Sequence, residues 1–352
     1  MQGFLKAASR VAVLAAVIFP GAVASADSEQ TKALLERRAE LERELAAIEA
    51  ELAKKGVLVT SAATPDRARA QIETGSVRKV DAGLVYAGLV EIGAALTFGR
   101  CDDCFDELDD ESYPEVAGAG RVSLPLSQSF AVQLDVTGWN TFTDRGENGE
   151  DNLQTAFSTA AHLAWRDPTI GAAGVFAQVG SANGGEATNA TFLAGGAQAQ
   201  YYFEDVTIYG QLGYFVADDG DEYDVMTDAV FGRGAARWFP QDRTRLQAQA
   251  ALFSGEEDDN FNDAEFDGWS AGLRADHAFS ETPFTLFAAY DRLSIEADRR
   301  FVPAEYEENR FMIGAAFHFG VASPKAQDRQ GATFESPDIG RWIAPTLEIV
   351  DD

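Results

Sequence analysis

The sequence alternates between apolar and polar residues over most of its length, and this pattern constrains the fold more than any other feature. In the segment 310–319, every second residue is apolar: Phe311, Ile313, Ala315, Phe317 and Phe319. A period of two is typical of a β-strand whose two faces meet different surroundings. The pattern predicts twelve strands, at 84–98, 115–124, 129–142, 154–165, 171–180, 190–203, 206–216, 227–239, 243–253, 268–279, 283–292 and 309–319.

The connections between these strands alternate strictly in length. The short ones are 125–128, 166–170, 204–205, 240–242 and 280–282, and the long ones are 99–114, 143–153, 181–189, 217–226, 254–267 and 293–308. Antiparallel strands connected in this order place all short turns on one rim and all long loops on the other. A soluble β-sandwich has no reason to sort its loops in this way, whereas a closed barrel that spans a membrane does.

Charge and aromatic residues are sorted between the same two rims. The six long connections hold 29 acidic and only four basic residues, so most of the formal charge of −29 lies there. A chain this acidic is not expected to bind nucleic acid by neutralising phosphates. Aromatic side chains suited to a membrane interface flank the short turns or the end of the last strand: Phe130, Trp165, Phe203, Trp238, Phe239, Phe279, Phe284 and Phe319.

The first 26 residues have the pattern of a secretory signal peptide. Lys6 and Arg10 precede the apolar stretch 11–19, and Ala24-Ser25-Ala26 supplies a small-residue cleavage site. The apolar stretch is too short to anchor the protein in a membrane. We therefore expect the mature chain to begin at Asp27, in a compartment that permits disulfides.

Residues 27–56 are predicted to form a coiled-coil helix. The stretch 28–55 lacks Gly and Pro, and its apolar residues have heptad spacing, with Gly56 placed to end the helix. The residues of the seam are Leu34, Leu41, Leu45, Ile48 and Leu52. The pattern favours self-association over a single amphipathic helix that lies on another surface. Residues 57–79 have no clear periodicity and are interpreted as a polar linker.

Residues 80–320 resemble a porin-like outer-membrane β-barrel of Gram-negative bacteria. The resemblance rests on the alternating strands, the sorted loops and the aromatic-ended segment 310–319, which is similar to the terminal strand of such barrels. It implies an all-β transmembrane barrel with about 12 strands in outer-membrane lipid, with the coiled coil on the periplasmic side. Because the coil is similar to those that precede some trimeric porins, it also implies a homotrimer. The chain departs from the pattern by continuing to Asp352, and we expect 321–352 to form a periplasmic tail. The tail's end is apolar enough to need a partner surface, at Trp342, Ile343, Leu347, Ile349 and Val350. We expect it to dock either into the periplasmic mouth of the barrel or against the linker, and the alternative is a disordered end.

If the apolar set faces lipid, the opposite set lines the lumen and is a candidate for selectivity. Two interpretations stay open, because these charges could form a transverse field that selects solutes, or pair across neighbouring strands of a packed interior. The candidate residues are Glu91, Asp135, His162, Arg233, Arg237, Arg245, Arg274, Asp276, Asp291 and Arg310.

Cys101 and Cys104 form a CxxC sequence in the first long loop. The surrounding carboxylates disfavour a reactive thiolate, and two Cys without a nearby His make a poor zinc site. We expect a structural disulfide. The acidic loops could collect divalent cations, although none matches the twelve-residue calcium-binding loop, and no other cofactor is expected.

The sequence offers little support for an enzyme. The one GxSxG match, 268–272, lies within a predicted strand, whereas a nucleophile elbow needs a sharp turn from a strand into a helix. We therefore predict a channel for the passive diffusion of small hydrophilic solutes or ions. The alternative is a structural surface barrel with a plugged lumen, cation-binding acidic loops and a coiled-coil tether to the envelope.

Overall fold

The chain folds into a closed barrel of antiparallel strands. The computed structural model describes residues 86–102, 111–142, 154–185, 188–218, 226–256, 265–279, 282–298, 304–321 and 323–349. Among these residues no helix is long and apolar enough to span a membrane. The predicted signal peptide, coiled coil and linker, including Leu34, Leu41, Leu45, Ile48 and Leu52, lie outside the described residues.

Twelve strands pair in sequence order, and β12 pairs with β1 to close the barrel. The strands are β1 Ala87–Asp102, β2 Glu111–Pro125, β3 Phe130–Thr141, β4 Thr155–Asp167, β5 Gly171–Gly185, β6 Thr188–Tyr202, β7 Val206–Asp218, β8 Asp228–Gln241, β9 Thr244–Glu256, β10 Glu265–Ala278, β11 Phe284–Asp298 and β12 Ala304–Phe319. The predicted all-β barrel and its strand number are confirmed. Closure leaves no unpaired edge, which is the requirement for strands in lipid.

The outer wall is apolar because alternate residues of every strand point outward. Ile313 is 71% exposed, and Leu212 and Leu252 are almost as exposed. Large apolar side chains cover this wall on all sides, which is unfavourable in water and favourable in lipid. The predicted aromatic residues at the short turns are exposed, except Phe239, which is 1% exposed and points into the lumen. The pairing of β8 with β9 shifts register after Trp238, at this turn.

Several strands extend further toward the long-loop rim than predicted. β11 continues to Asp298 and β12 begins at Ala304, whereas the sequence pattern placed these ends at 292 and 309. The predicted long loop 181–189 is mostly a hairpin, since β5 ends at Gly185 and β6 begins at Thr188. These segments still alternate, but the apolar residues now face inward: in β11, Ile295 and Ala297 are buried, whereas Glu296 and Asp298 point outward and are exposed.

The C-terminal segment lies in the lumen, so it docks against the barrel and reaches deeper than the predicted position of the tail 321–352 at the mouth. It contains two helices, α1 (Pro324–Gln330) and α2 (Ile339–Ile349). The turn from β12 into this segment needs Gly320, whose φ is +78° and whose added Cβ would lie 2.0 Å from the Tyr86 carbonyl oxygen. The Ser323 hydroxyl caps α1 by accepting a hydrogen bond from the Ala326 amide. We call residues 323–349 the plug.

Candidate functional site

The plug begins at the short-turn rim, where it is bound to two turns of the barrel. The Lys325 ammonium lies 2.7 Å from an Asp205 carboxylate oxygen, and the Lys325 amide donates to the Asp242 carbonyl. The Arg329 guanidinium donates to the carbonyls of Phe203 and Glu204. α1 therefore lies across the end of the lumen where β12 ends.

The middle of the plug, residues 331–338, is held by side chains of the wall that bond its backbone. The Gln133 amide donates to the Phe334 carbonyl at 2.8 Å and accepts from the Phe334 amide at 3.1 Å. Arg166 donates to the Gly331 carbonyl at 2.6 Å, and Gln178 donates to the Pro337 carbonyl at 3.0 Å. Buried backbone groups need such partners, and here the polar wall supplies them.

An apolar core is built around α2 in the long-loop half of the lumen. The Trp342 indole stacks on Phe253 with ring centroids 4.7 Å apart and contacts Phe231 edge to face at 5.4 Å. Ile339 and Ile343 are fully buried beside it. This packing is that of a protein interior rather than of an open aqueous pore.

Glu335 of the plug is the centre of a cluster of positive charges. One of its carboxylate oxygens lies 2.6 Å from Arg233, and the other lies 3.3 Å from Arg237 and 3.8 Å from both Arg121 and Arg245. Burial by itself would raise the pKa of Glu335, but the four guanidinium groups outweigh this effect and hold the pKa well below its usual range. The carboxylate is therefore charged at neutral pH and neutralises an otherwise cationic wall.

Two further plug residues form buried ion pairs with the wall. Asp328 accepts from Arg237 and from the Thr207 hydroxyl, both at 2.6 Å. Arg341 donates to Glu308 at 2.7 Å and to Glu115 at 2.8 Å. Burial would lower the pKa of Arg341, but these carboxylates raise it well above its usual value. Breaking such a buried pair by removing one partner typically costs about 3–5 kcal/mol.

The structure places all ten predicted lumen residues inside the barrel, where most of them are paired. Arg274 lies 2.8 Å from Glu91 and 3.0 Å from Asp276, which also pairs with Arg245 at 2.9 Å. Arg310 pairs with Glu115 at 2.6 Å and lies 3.8 Å from Asp291. Asp135 bonds His162, and Arg233 and Arg237 bind the plug. The charges thus form short-range pairs across strands and with the plug, in line with the packed-interior interpretation.

Sequence reasoning missed the residues that complete these pairs. Arg121 shares the inward register of β2 with Ala117 and Ala119, so the same alternation could have identified it. Glu115 and Glu308 lie on the inward faces of β2 and β12 near the long-loop rim. One signal in the sequence pointed to the plug. Strands β8–β10 carry more inward arginines than inward acids, so acidic partners from elsewhere in the chain were to be expected. The plug residues that sequence reasoning missed are Asp328, Glu335 and Arg341.

A serine, a histidine and an aspartate meet in the lumen, but their geometry is not that of a catalytic triad. The Ser336 hydroxyl lies 3.0 Å from Asp135, and both groups face Nε2 of His162, at 3.4 and 3.2 Å. Nδ1 of the ring lies 2.9 Å from the Gln198 amide nitrogen. In a triad the carboxylate and the hydroxyl bind opposite ring nitrogens. Because His162 is also 1% exposed, this cluster anchors the plug instead.

The remaining sequence candidates have no defined chemical site. Ser270 of the GxSxG match lies in the continuous strand β10, without the turn that a nucleophile elbow needs. Cys101 is buried at the end of β1, whereas Cys104 lies outside the described residues, so the disulfide stays a prediction. Within the part of the chain that the structure describes, no group of acidic, His or Cys side chains could hold a metal ion. Most of the acidic loop residues lie outside that part.

A cavity of about 220 Å³ remains between the plug and one side of the wall. We call it the chamber. Its wall is formed by inward residues of β1–β3 and β8–β12, and its opposite side is residues 335–342 of the plug. Charged groups of both signs surround it, among them Glu91, Arg274, Asp291 and Arg310. The barrel is therefore filled on one side and hollow on the other.

Strand order, closure and the apolar outer wall define the fold as a transmembrane β-barrel of the outer-membrane type, with an internal plug. No protein-family model and no curated protein sequence matches the chain. Among solved structures, it is similar to an outer membrane channel from Pseudomonas putida F1, with 12% identity and a TM-score of 0.43 over 68% of this chain and 100% of that one.

It is also similar to the translocator domain of the autotransporter NalP from Neisseria meningitidis, with 14% identity and a TM-score of 0.40 over 78% of this chain and 98% of that one. The KdgM porin matches with 6% identity and a TM-score of 0.36 over 64% of this chain and 99% of that one. The class itself rests on the strand order and register described above.

Proposed function

We propose that this protein is an outer-membrane channel for small hydrophilic solutes or ions, with a lumen narrowed by its own C-terminal segment. One observation carries the proposal. A chamber of about 220 Å³, lined by charged side chains of both signs, persists beside a plug that fills the rest of the lumen. A polar interior around such a space is typical of a water-filled passage.

The same wall suits small solutes better than large ones. Twelve strands enclose a narrow lumen, and the plug takes up most of it. Guanidinium and carboxylate groups both line the chamber, so cations and anions each find a partner along it. Large or strongly apolar solutes have no comparable space.

The second candidate function is a closed structural barrel of the envelope. It is favoured by the apolar core around Trp342, which fills the long-loop half of the lumen near β7–β9. In this case the charged pairs would serve only to hold the plug, and the acidic loops and the predicted coil would bind partners.

Conductance in planar bilayers separates the two functions. The full-length protein is expected to give small, stable, ohmic steps, and a variant that ends at Gly320 larger ones. Folding of both proteins is checked by the shift in gel mobility between unheated and heated samples. A full-length protein that is folded and silent, next to a conducting truncated barrel, would identify the closed structural barrel.

A further inference from the structure

Several small inward residues line the chamber between its charged groups. On β1, β2, β10 and β11 they are Gly93, Ala117, Ala119, Ser270 and Ala289. Side chains of this size leave space between these strands and the plug.

On the opposite side, inward residues of β4–β8 are packed against the plug. His162 stacks on the Phe334 ring at 5.8 Å, and Tyr209 lies 6.4 Å from the same ring. α2 contacts β4 and β5 in particular, where an added Cβ at Gly340 would lie 2.5 Å from the Ala156 Cβ. The plug is therefore packed closely against β4–β8, while another of its sides borders the chamber.

Departure of the plug would be strongly unfavourable. It would leave Arg233 and Arg237 in the wall without Glu335 and Asp328, and it would expose the apolar core around Trp342. Buried charges that lose their partners are costly, and so is apolar surface returned to water. Passage through this barrel thus has to use the space that exists while the plug is in place.

On the short-turn side, the chamber ends at a small group of charged residues. Glu91 lies 2.8 Å from Arg274 and 3.7 Å from Arg121. The same three residues also line a second cavity of about 20 Å³, which reaches His318 on β12 and Gln327 of α1. They are the partition between the chamber and the short-turn end of the lumen.

We propose that solutes cross beside the seated plug, through the chamber, and that the Glu91–Arg274 ion pair is the gate at its short-turn end. The inference rests on the proposed channel function and specifies its route. A small ion passes the gate when Glu91 or Arg274 releases the other side chain and binds the ion instead. Selectivity follows from the charge balance of this pair and Arg121.

The first test fixes the plug in place with a disulfide between Ala156→Cys and Gly340→Cys, in a background with Cys101→Ser and Cys104→Ser. The Cβ atoms need to separate by about 1 Å to reach disulfide geometry. Conductance in planar bilayers is compared before and after reduction. We expect the two values to agree within twofold, because the route does not need the plug to move.

The second test locates the route with a charged thiosulfonate reagent in the same Cys-free background. Ala289→Cys places a thiol in the chamber, and modification should at least halve the conductance. Ala164→Cys is the matched control, since Ala164 is an inward alanine buried on the plug-bearing side and should not respond. Glu91→Gln should shift the reversal potential toward anions, and Arg274→Gln toward cations.

The outcomes distinguish this route from the channel function itself. Loss of current in the bridged form, or block through Ala164→Cys, would mean that the plug leaves the lumen, which overturns the route but keeps the channel. If the disulfide-linked protein does not fold, two measurements still test the route. They are the comparison of Ala289→Cys with Ala164→Cys, and the reversal potentials of Glu91→Gln and Arg274→Gln. Absence of current in every form, including the barrel that ends at Gly320, overturns the channel function and the route together.

Discussion

Arg237 of β8 and Asp328 of the plug form an ion pair with 2.6 Å between Nη1 and Oδ1, and both side chains are 1% exposed. This pair joins the wall to α1 of the plug within the lumen. Thr207 and Thr333 complete the hydrogen bonds around it. The plug is therefore part of the folded barrel and not an accessory that rests at its mouth.

Replacing Asp328 by Asn should destabilise the folded barrel by about 3–5 kcal/mol, because the buried Arg237 loses its counterion at 2.6 Å and keeps only Glu335, which lies at 3.3 Å and is shared with other arginines. The urea midpoint of the refolded protein in detergent micelles measures the change. Asp242→Asn is the matched control, since Asp242 is largely exposed beside Lys325 and its ion pair contributes about 0–1 kcal/mol. Equal midpoints for the two variants would contradict the role of the buried pair.

Replacing Trp342 by Ala should cost about 3–5 kcal/mol, since it removes the largest side chain of the core formed around α2. The same urea titration checks the loss, and Trp342→Phe should recover part of it. Trp238→Ala serves as a comparison at an outward position that faces lipid. A midpoint unchanged by Trp342→Ala would show that α2 adds little to stability.

Acid should loosen the plug only well below pH 4.5. The pKa of Glu335 is lowered, so its contribution to stability is fully present above the ordinary value of 4.5 and is lost as the pH falls through the depressed folded value. Hydrogen exchange of amides in residues 331–338, followed by mass spectrometry from pH 7 to pH 3, should show protection that persists below pH 4.5. Glu335→Gln should exchange faster throughout, and exchange that rises already near pH 5 would contradict the pKa shift.

Deleting residues 27–56 should convert an oligomer into monomers, because the predicted seam of Leu34, Leu41, Leu45, Ile48 and Leu52 would be lost. Light scattering in detergent gives the mass, which we expect to fall from that of a trimer. Leu41→Asn with Ile48→Asn is a gentler variant that keeps the chain length. An unchanged mass would assign the association to the barrel walls, or show that there is none.

The barrel could be predicted from the sequence because each strand must present one face to lipid. This requirement makes residues such as Leu212, Leu252 and Ile313 alternate with inward ones, and it leaves a periodic signal in one dimension. The strand ends at the long-loop rim were less predictable, since there the outward side chains, such as Glu296 and Asp298, are polar and the apolar Ile295 faces inward. Phe239 was misplaced because two adjacent aromatic residues at a turn do not reveal which one faces inward.

The plug could not be placed because its contacts join distant parts of the chain. Glu335 meets arginines from β2, β8 and β9, and no local pattern encodes that meeting. The apolar residues around Trp342 predicted docking into the mouth of the barrel or against the linker, but they did not predict that the segment enters the lumen so deeply. The inward position of the charged residues was deduced from alternation, whereas their pairing required the three-dimensional arrangement.

The position of the plug in the sequence has a consequence for biogenesis. It follows β12 directly, and β12 is the strand that closes the circle with β1. If the barrel closed first, the plug would have to enter it afterwards, although it contains an eleven-residue helix with the bulky indole of Trp342. The simplest order of events is that β1 pairs with β12 around the plug, so that the barrel closes and encloses the plug in one step. The cylinder would then never be empty, and α2 would lie toward the rim opposite the one where β12 ends.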